Sequence, residues 1–177
     1  MGDSLITIVA IVLAAILMFV FPLMSMSDRT DDISQLTVKT ATTEFVDNVR
    51  TTGRLSLADY SAFEQEIHAT GNSYDIEMEV KVLDENPGKK TTQASSTKIG
   101  ENVYYSMYTS QILETLDQGN AVLALKEGDM FSTSVRNTNT TLSQQLKNFF
   151  YTVAGNDTYT IAAEHGGYVT ANGSGGN

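Results

Sequence analysis

Residues 5–24 read LITIVAIVLAAILMFVFPLM, an apolar run interrupted by Thr7 and Pro22. At a rise of about 1.5 Å per residue, this run forms a helix as long as the hydrocarbon core of a bilayer is thick, roughly 30 Å. Its anchor residues are Leu5, Ile6, Ile8, Val9, Ile11, Val12, Leu13, Ile16, Leu17, Phe19, Val20, Phe21 and Leu23. On the insertion scale such side chains favour the bilayer by about 4 to 8 kcal/mol in total. A membrane span, with membrane lipid as its first partner, is the expectation. Pro22 lies near the end of the run, where a lost backbone bond and a kink are tolerated.

Two other readings compete. A buried core helix rarely stays apolar on every face for this length. A cleaved secretory signal is the stronger rival, because Ser25-Met26-Ser27 has the small-x-small form of a cleavage site. Against it, Met1-Gly2-Asp3-Ser4 carries no Lys or Arg, and the run exceeds the usual apolar core of about 7 to 15 residues.

The chain has 177 residues, so removing the anchor leaves enough for one domain of modest core. A formal charge of −10 repels phosphate backbones and argues against nucleic acid as a partner. The lack of cysteine excludes disulfides, thiolate metal sites and a Cys nucleophile. Arg29 and Lys39 are too few to orient the span by the positive-inside rule. The acidic, Thr-, Asn-, Ser- and Gly-rich remainder is expected on the extracytoplasmic side of the cytoplasmic membrane.

Nothing in Ser27-Asp28-Arg29-Thr30-Asp31-Asp32 stops a helix. Ile33, Leu36, Thr37, Thr40, Ala41 and Glu44 follow at helical spacing, Val38, Ala41, Phe45 and Val49 form a second, apolar line, and Gly53 supplies a stop. One helix from about Ser4 to Thr52 is the expectation. The competing reading breaks it near Asp28, since Thr37, Thr40, Thr42 and Thr43 are poor helix formers.

Ser56, with Asp59 as capping partner, opens a helix with Tyr60, Phe63 and Ile67 on its buried stripe, ending at Gly71. Tyr74 to Leu83 alternates as a strand with one wet face. Asp84 to Asn102 reads as a long loop and Val103 to Gln118 as a helix. Ala121–Lys126 and Met130–Arg136 flank Glu127-Gly128 as a hairpin. Leu142, Leu146, Phe149, Phe150 and Val153 share a helical face, expected to dock on the sheet face of Ile76, Met78 and Val80, with Thr140 or Thr141 as cap and Gly155 as stop. Tyr159–Ala163 and Tyr168–Ala171 flank Gly166-Gly167 as a last hairpin. The fold class is α+β: a transmembrane helix continuing into a long amphipathic helix, then a small antiparallel sheet with packed helices. The divisions are an anchor at 1–27, a helical stalk at 28–55, an extracytoplasmic domain at 56–172 and a flexible tail at 173–177.

Chemistry is sparse. His68 and His165 lie in no metal-binding motif and read as surface histidines. Asp75, Glu77 and Glu79 read as a solvated strand face. Asp84-Glu85-Asn86-Pro87-Gly88 lacks the acidic series and closing Glu of a calcium loop. Triplets beginning at Asn139, Asn156 and Asn172 fit the glycosylation pattern, which arises by chance in such a composition. Ala10 and Ala14 have the spacing of a small-residue helix contact. The sequence shows no GxSxG, P-loop or GxGxxG motif, so neither catalysis nor a cofactor or metal is expected.

The short leader ending in Gly2, the apolar helix carrying Pro22, the continuing amphipathic helix and the small α+β domain resemble type IV pilin-like subunits. Among these the chain is most similar to the TadE-like pseudopilins of tight-adherence (Flp-type) pili. The resemblance implies a bacterial membrane protein that assembles with other pilus or secretion subunits, or with its own copies, through its N-terminal helix. It makes Gly2 the residue before a prepilin-peptidase cut. The chain departs from the pattern at Thr7, where pilins keep an acidic residue, and in its nearly absent leader, so a permanently anchored accessory subunit fits better than a major pilin. The rival of another class is a membrane-anchored ligand-binding or sensor domain, with the loop Asp84 to Asn102 shaping its site.

Overall fold

The computed structural model describes residues 2–84, 104–118, 122–151 and 160–173, with the backbone alone at 149–151. Its longest element is α1, a continuous helix over Gly2–Thr52, about 75 Å in length. The threonines do not break it, and the hydroxyls of Thr42 and Thr43 are satisfied within the helix. Thr42 donates to the Val38 carbonyl at 2.7 Å and Thr43 to that of Lys39 at 2.8 Å. One turn, Ile16–Val20, widens to π geometry. It lies just ahead of Pro22, which has no N–H for the Met18 carbonyl and crowds it with its ring. The helix ends where Gly53, at φ 65°, turns left-handed and donates to the Val49 carbonyl at 2.8 Å.

The buried positions of α1 begin only at Ser27 and run through Asp31, Ser34, Val38, Ala41, Thr42, Phe45, Val46 and Val49. They advance by alternate steps of about four and three, a single seam along one side. This half of the helix lies on the sheet face formed by β5 (Met130–Asn137) and β6 (Ala162–Tyr168). The four-stranded antiparallel sheet has the order β3-β2-β5-β6, with β2 at Tyr74–Leu83 and β3 at Tyr104–Tyr108. A two-stranded ribbon joins β1 (Arg54–Ser56) to β4 (Val122–Ala124). Helix α2 (Leu57–His68) packs against α1, and α3 (Thr109–Asp117) against β2 and β4. The expected capping box of α2 is formed, with Ser56 Oγ accepting from Asp59 N–H and Asp59 accepting from Ser56 N–H. The class is α+β, as its patterning indicates.

Register explains the core. Val80, Phe131 and Gly167 lie side by side across β2, β5 and β6, as do Met78, Thr133 and His165, and Ile76, Val135 and Ala163. These rows face α1. Phe45 of α1 joins the layers, stacking on Phe63 of α2 at 4.4 Å between centroids and meeting Phe131 of β5 edge-on at 5.8 Å.

Four expectations are corrected. Residues 104–108 of the expected helix Val103–Gln118 form β3, because Tyr104 to Tyr108 complete the edge of β2; helix begins at Thr109 and buries Ile112 and Leu116. The segment before Glu127-Gly128 does not pair with β5; Val122–Ala124 pairs with Arg54–Ser56 instead. The turn itself exists, with Gly128 at φ 96°. The carboxylate of the buried Asp129 closes it, accepting from Lys126 N–H at 2.8 Å and from Leu83 N–H at 2.9 Å. Gly166-Gly167 is not a turn but lies inside the continuous strand β6, towards its C-terminal end, where a Cβ on Gly167 would lie 2.7 Å from the Arg50 guanidinium. Finally, α4 (Leu142–Tyr151) packs on α1 rather than on the sheet, where α1 lies over β5 and β6 and α3 meets β2.

Thr141 is the cap expected for α4, exchanging hydrogen bonds with Gln144. The loop beyond Asp84, the stops at Gly119 and Gly155, Val153, Tyr159 and residues 174–177 lie outside the described residues, as do the side chains of Phe149 and Phe150. Asn172 and Gly173, at the domain–tail boundary, are tied in: Asn172 accepts from Glu127 N–H at 3.0 Å, and Gly173 N–H donates to Leu125 at 2.8 Å.

Two positions on α1 test this architecture. Phe45→Ala should destabilise the detergent-solubilised protein by about 3 to 5 kcal/mol in urea unfolding, because it empties the centre of three layers. Leu36→Ala, on the exposed side of the same helix, should change stability by less than about 0.5 kcal/mol.

Candidate functional site

Helix α1 itself is the candidate site, and its two halves differ. Among residues 2–26 no side chain is buried, and the large apolar residues from Leu5 to Leu23 are mostly exposed. This helix is long and apolar enough to cross a membrane. Gly2 is exposed with open space around it, and Thr7 donates to the Asp3 carbonyl at 2.8 Å, so neither shapes a pocket.

Beyond Ser27 the head is fastened to α1 at several levels. Nearest the apolar run, Asp31 accepts from Thr141 Oγ1 at 2.7 Å, and Asp28 accepts from Ser143 Oγ and pairs with Lys147 Nζ at 2.6 Å. One level up, the Gln35 amide acts as a strand partner for β6, donating to the Ala162 carbonyl at 2.6 Å and accepting its N–H at 2.9 Å. Further along, Asp47 Oδ1 receives His165 Nε2 at 3.1 Å and Arg50 Nη1 at 2.7 Å. Arg50 Nε then donates to the Tyr168 carbonyl at 3.0 Å across Gly167. His165 is thus part of the joint between helix and sheet, whereas His68 meets the Asn72 carbonyl at 3.0 Å and the ring of Tyr74 at 5.9 Å, away from that joint. Sequence spacing hides this joint, since its partners lie more than one hundred positions apart.

Opposite the buried seam, α1 exposes a second line: Met26 at 69 %, Ile33 at 61 % and Leu36 at 65 %. Steps of seven and three place these side chains on one side of the helix, pointing away from the head. Single exposed apolar residues are ordinary; an aligned set continuing an apolar run is not.

Elsewhere, Asp75, Glu77, Glu79 and Glu164 border an open trough of about 940 Å³ on the outer sheet face. Glu79 accepts from Ser106 at 2.9 Å and meets Lys81 at 3.4 Å, as expected of a solvated face. Among the described residues no His, Cys, Asp and Glu cluster is arranged to hold a metal ion. Asn139 uses its side chain internally, accepting from Ser73 N–H at 2.8 Å and donating to Asn72 at 3.0 Å. The chain matches no family model, no curated protein and no solved structure.

Electrostatics ties the joint to pH. Asp28 is held below its ordinary value by the hydrogen bond from Lys147 and then by that from Ser143, against desolvation, with the Lys147 charge adding a smaller lowering. Asp47 is lowered chiefly by His165, with Arg50 adding to it against desolvation. A carboxyl whose folded value lies below its unfolded one stabilises fully above the unfolded value, near pH 4, and loses this as pH falls through the folded value. The melting temperature should therefore drop between about pH 5 and pH 2, and less steeply in Asp28→Asn. At neutral pH, Asp28→Asn should cost about 0.2 to 1 kcal/mol, the range of a partly exposed ion pair.

Proposed function

We propose that this chain is a single-pass, membrane-anchored assembly subunit, pilin-like or of the TadE-like pseudopilin kind, rather than an enzyme. Residues Leu5–Met24 lie in the cytoplasmic membrane, and the head stands on the extracytoplasmic side. The partners are membrane lipid and the corresponding helices of other pilus or secretion subunits, or of further copies of the chain. The observation that carries this reading is the exposed line Met26, Ile33 and Leu36, which continues the apolar run beyond the membrane on the side opposite the head. Burying one such side chain contributes about 1.5 to 3 kcal/mol, so a helix-to-helix contact here is favourable once the helices share a bilayer. The fastening of α1 to β6 and α4 makes the head follow any helix packing, which suits assembly and offers little to catalysis.

The open trough beside Glu77 and Glu164 favours a second reading, an anchored ligand-binding or sensor domain. The two readings separate on α1. Because the chain has no cysteine, Leu36→Cys gives a clean single-site probe in native membranes. The assembly reading expects oxidative cross-linking at Leu36→Cys but not at Ser110→Cys beside the trough. It also expects Leu36→Glu to abolish co-purification of partner subunits without changing the melting temperature. Undiminished co-purification in Leu36→Glu favours the binding-domain reading. In the same membranes the protein should resist high-salt and carbonate washes, since apolar insertion is insensitive to both; release into the soluble fraction would remove the anchor.

A further inference from the structure

We infer that a second copy of the chain adds to the head by strand pairing. The free edge of β6 in one copy takes the free edge of β3 in its neighbour, antiparallel, so that the four-stranded sheet continues from copy to copy along the membrane. The inference deepens the assembly reading and rests on α1 being a span, which gives all copies one orientation.

Direction comes first. Along β6, Ala162 meets Gln35, His165 meets Asp47 and Tyr168 meets Arg50, so β6 runs in the same sense as α1, away from the apolar run. Each step across the order β6-β5-β2-β3 is antiparallel, so β3 runs back towards that run. Two copies side by side in one bilayer therefore set an ascending β6 beside a descending β3. Joining two β6 edges in antiparallel fashion would invert one copy in the membrane.

The backbone groups of the two edges match. The Ile161 carbonyl accepts from Asn137 N–H of β5, so by the alternation of the ladder Ala162, Glu164, Gly166 and Tyr168 turn their N–H and C=O outward. Helix α1 holds the two ends of that edge, with Gln35 on both groups of Ala162 and Arg50 on the Tyr168 carbonyl. Glu164 and Gly166, both exposed, lie between. In β2, Met78 turns its backbone to Thr109 Oγ1, so Val80 and Val82 bond Met107 and Tyr105, and the outward residues of β3 are Tyr104, Ser106 and Tyr108. The Tyr108 N–H is held by Gln111 at 3.1 Å.

One register sets free groups against free groups. With Tyr108 opposite the held Ala162, Ser106 falls opposite Glu164 and Tyr104 opposite Gly166, two pairs that exchange two bonds each. Tyr104 and Gly166 then share the outer face, where an aromatic side chain supplies the packing that an edge glycine lacks. Neither YYSMY nor AAEHGGY carries the Pro or Lys that blunts an edge. The contact is heterologous, so it propagates as a row. It lies in the plane of the sheet, whereas Ile33 and Leu36 face away from the head, so both contacts can be filled at once.

The absence of cysteine makes this a pairwise test. Ser106→Cys and Glu164→Cys, both at exposed sites, would be made in the full chain and treated in native membranes with a short thiol-to-thiol cross-linker. Its reach should exceed the ~5.5 Å between Cα atoms of a hydrogen-bonded pair and fall short of the ~14 Å across three strand spacings within one copy. Co-expressed single variants should give a dimer, neither variant alone should give one, and the double variant should give a ladder of dimer, trimer and higher species. Asn48→Cys, exposed on α1, in place of Ser106→Cys should give no product. The ladder should survive Leu36→Glu, since the two contacts are separate. No ladder while Leu36→Cys still cross-links would overturn the inference and leave the assembly reading standing. Product from Glu164→Cys alone would also overturn it, by showing like edges joined. A ladder from chains that carbonate releases would support the edge pairing and remove the span. If the double variant fails to fold, the co-expressed single variants decide.

Discussion

One unbroken helix has to satisfy two surroundings, and the molecule is arranged around that requirement. The first half of α1 is apolar on all sides and takes no cover from the protein. The second half is amphipathic, with one seam at helical spacing laid on the sheet. The change occurs at Ser27, where hydroxyls and carboxylates replace aliphatic side chains. Polar groups buried there must be paired to be tolerated, and Asp31 and Asp28 find Thr141, Ser143 and Lys147. An equally long helix with no such fastening would leave the head free to swing about the point where the apolar run ends.

The sheet is adapted to the helix in its turn. Strand β6 presents Ala163, His165 and Gly167 towards α1, a small residue on either side of a polar one. Small side chains let the helix approach, and Arg50 uses the space over Gly167 to reach the Tyr168 carbonyl. A further close approach, between the left-handed Gly53 and Gly173, brings the end of the described chain back to the end of α1. Helix, edge strand and C-terminal segment therefore brace one another. On the proposed assembly reading, that brace converts packing of helices into a fixed placement of heads.

What is left uncovered has a physical pattern as well. On the inner sheet face α1 lies over β5 and β6 and α3 meets β2, and the outer face is lined by acidic and hydroxyl side chains that water satisfies. The apolar groups without cover concentrate along α1, on the residues 2–26 and on the line through Ile33 and Leu36. Apolar surface gathered on one element, rather than scattered, is the mark of a surface meant for lipid or another helix.

Much of this was local enough to be legible in the sequence. The apolar run long enough to cross a membrane, the continuous helix, the Ser56 capping box, the alternating strand Tyr74–Leu83 and the Thr141 cap each depend on residues a few positions apart, whose spacing or hydrogen bonding acts within one element. Tertiary structure decided what depends on distant partners. Tyr104 to Tyr108 carries a helical spacing of aromatics, yet the open edge of β2 claims it as a strand. Gly166-Gly167 has the composition of a turn, but the approach of Arg50 requires glycine inside a strand. The side of α4 that is buried follows from the carboxylates of α1, not from its own apolar periodicity, because α1 lies over β5 and β6 and α3 meets β2. Local pattern determines which element can form; competition for one sheet face and one strand edge determines where it goes.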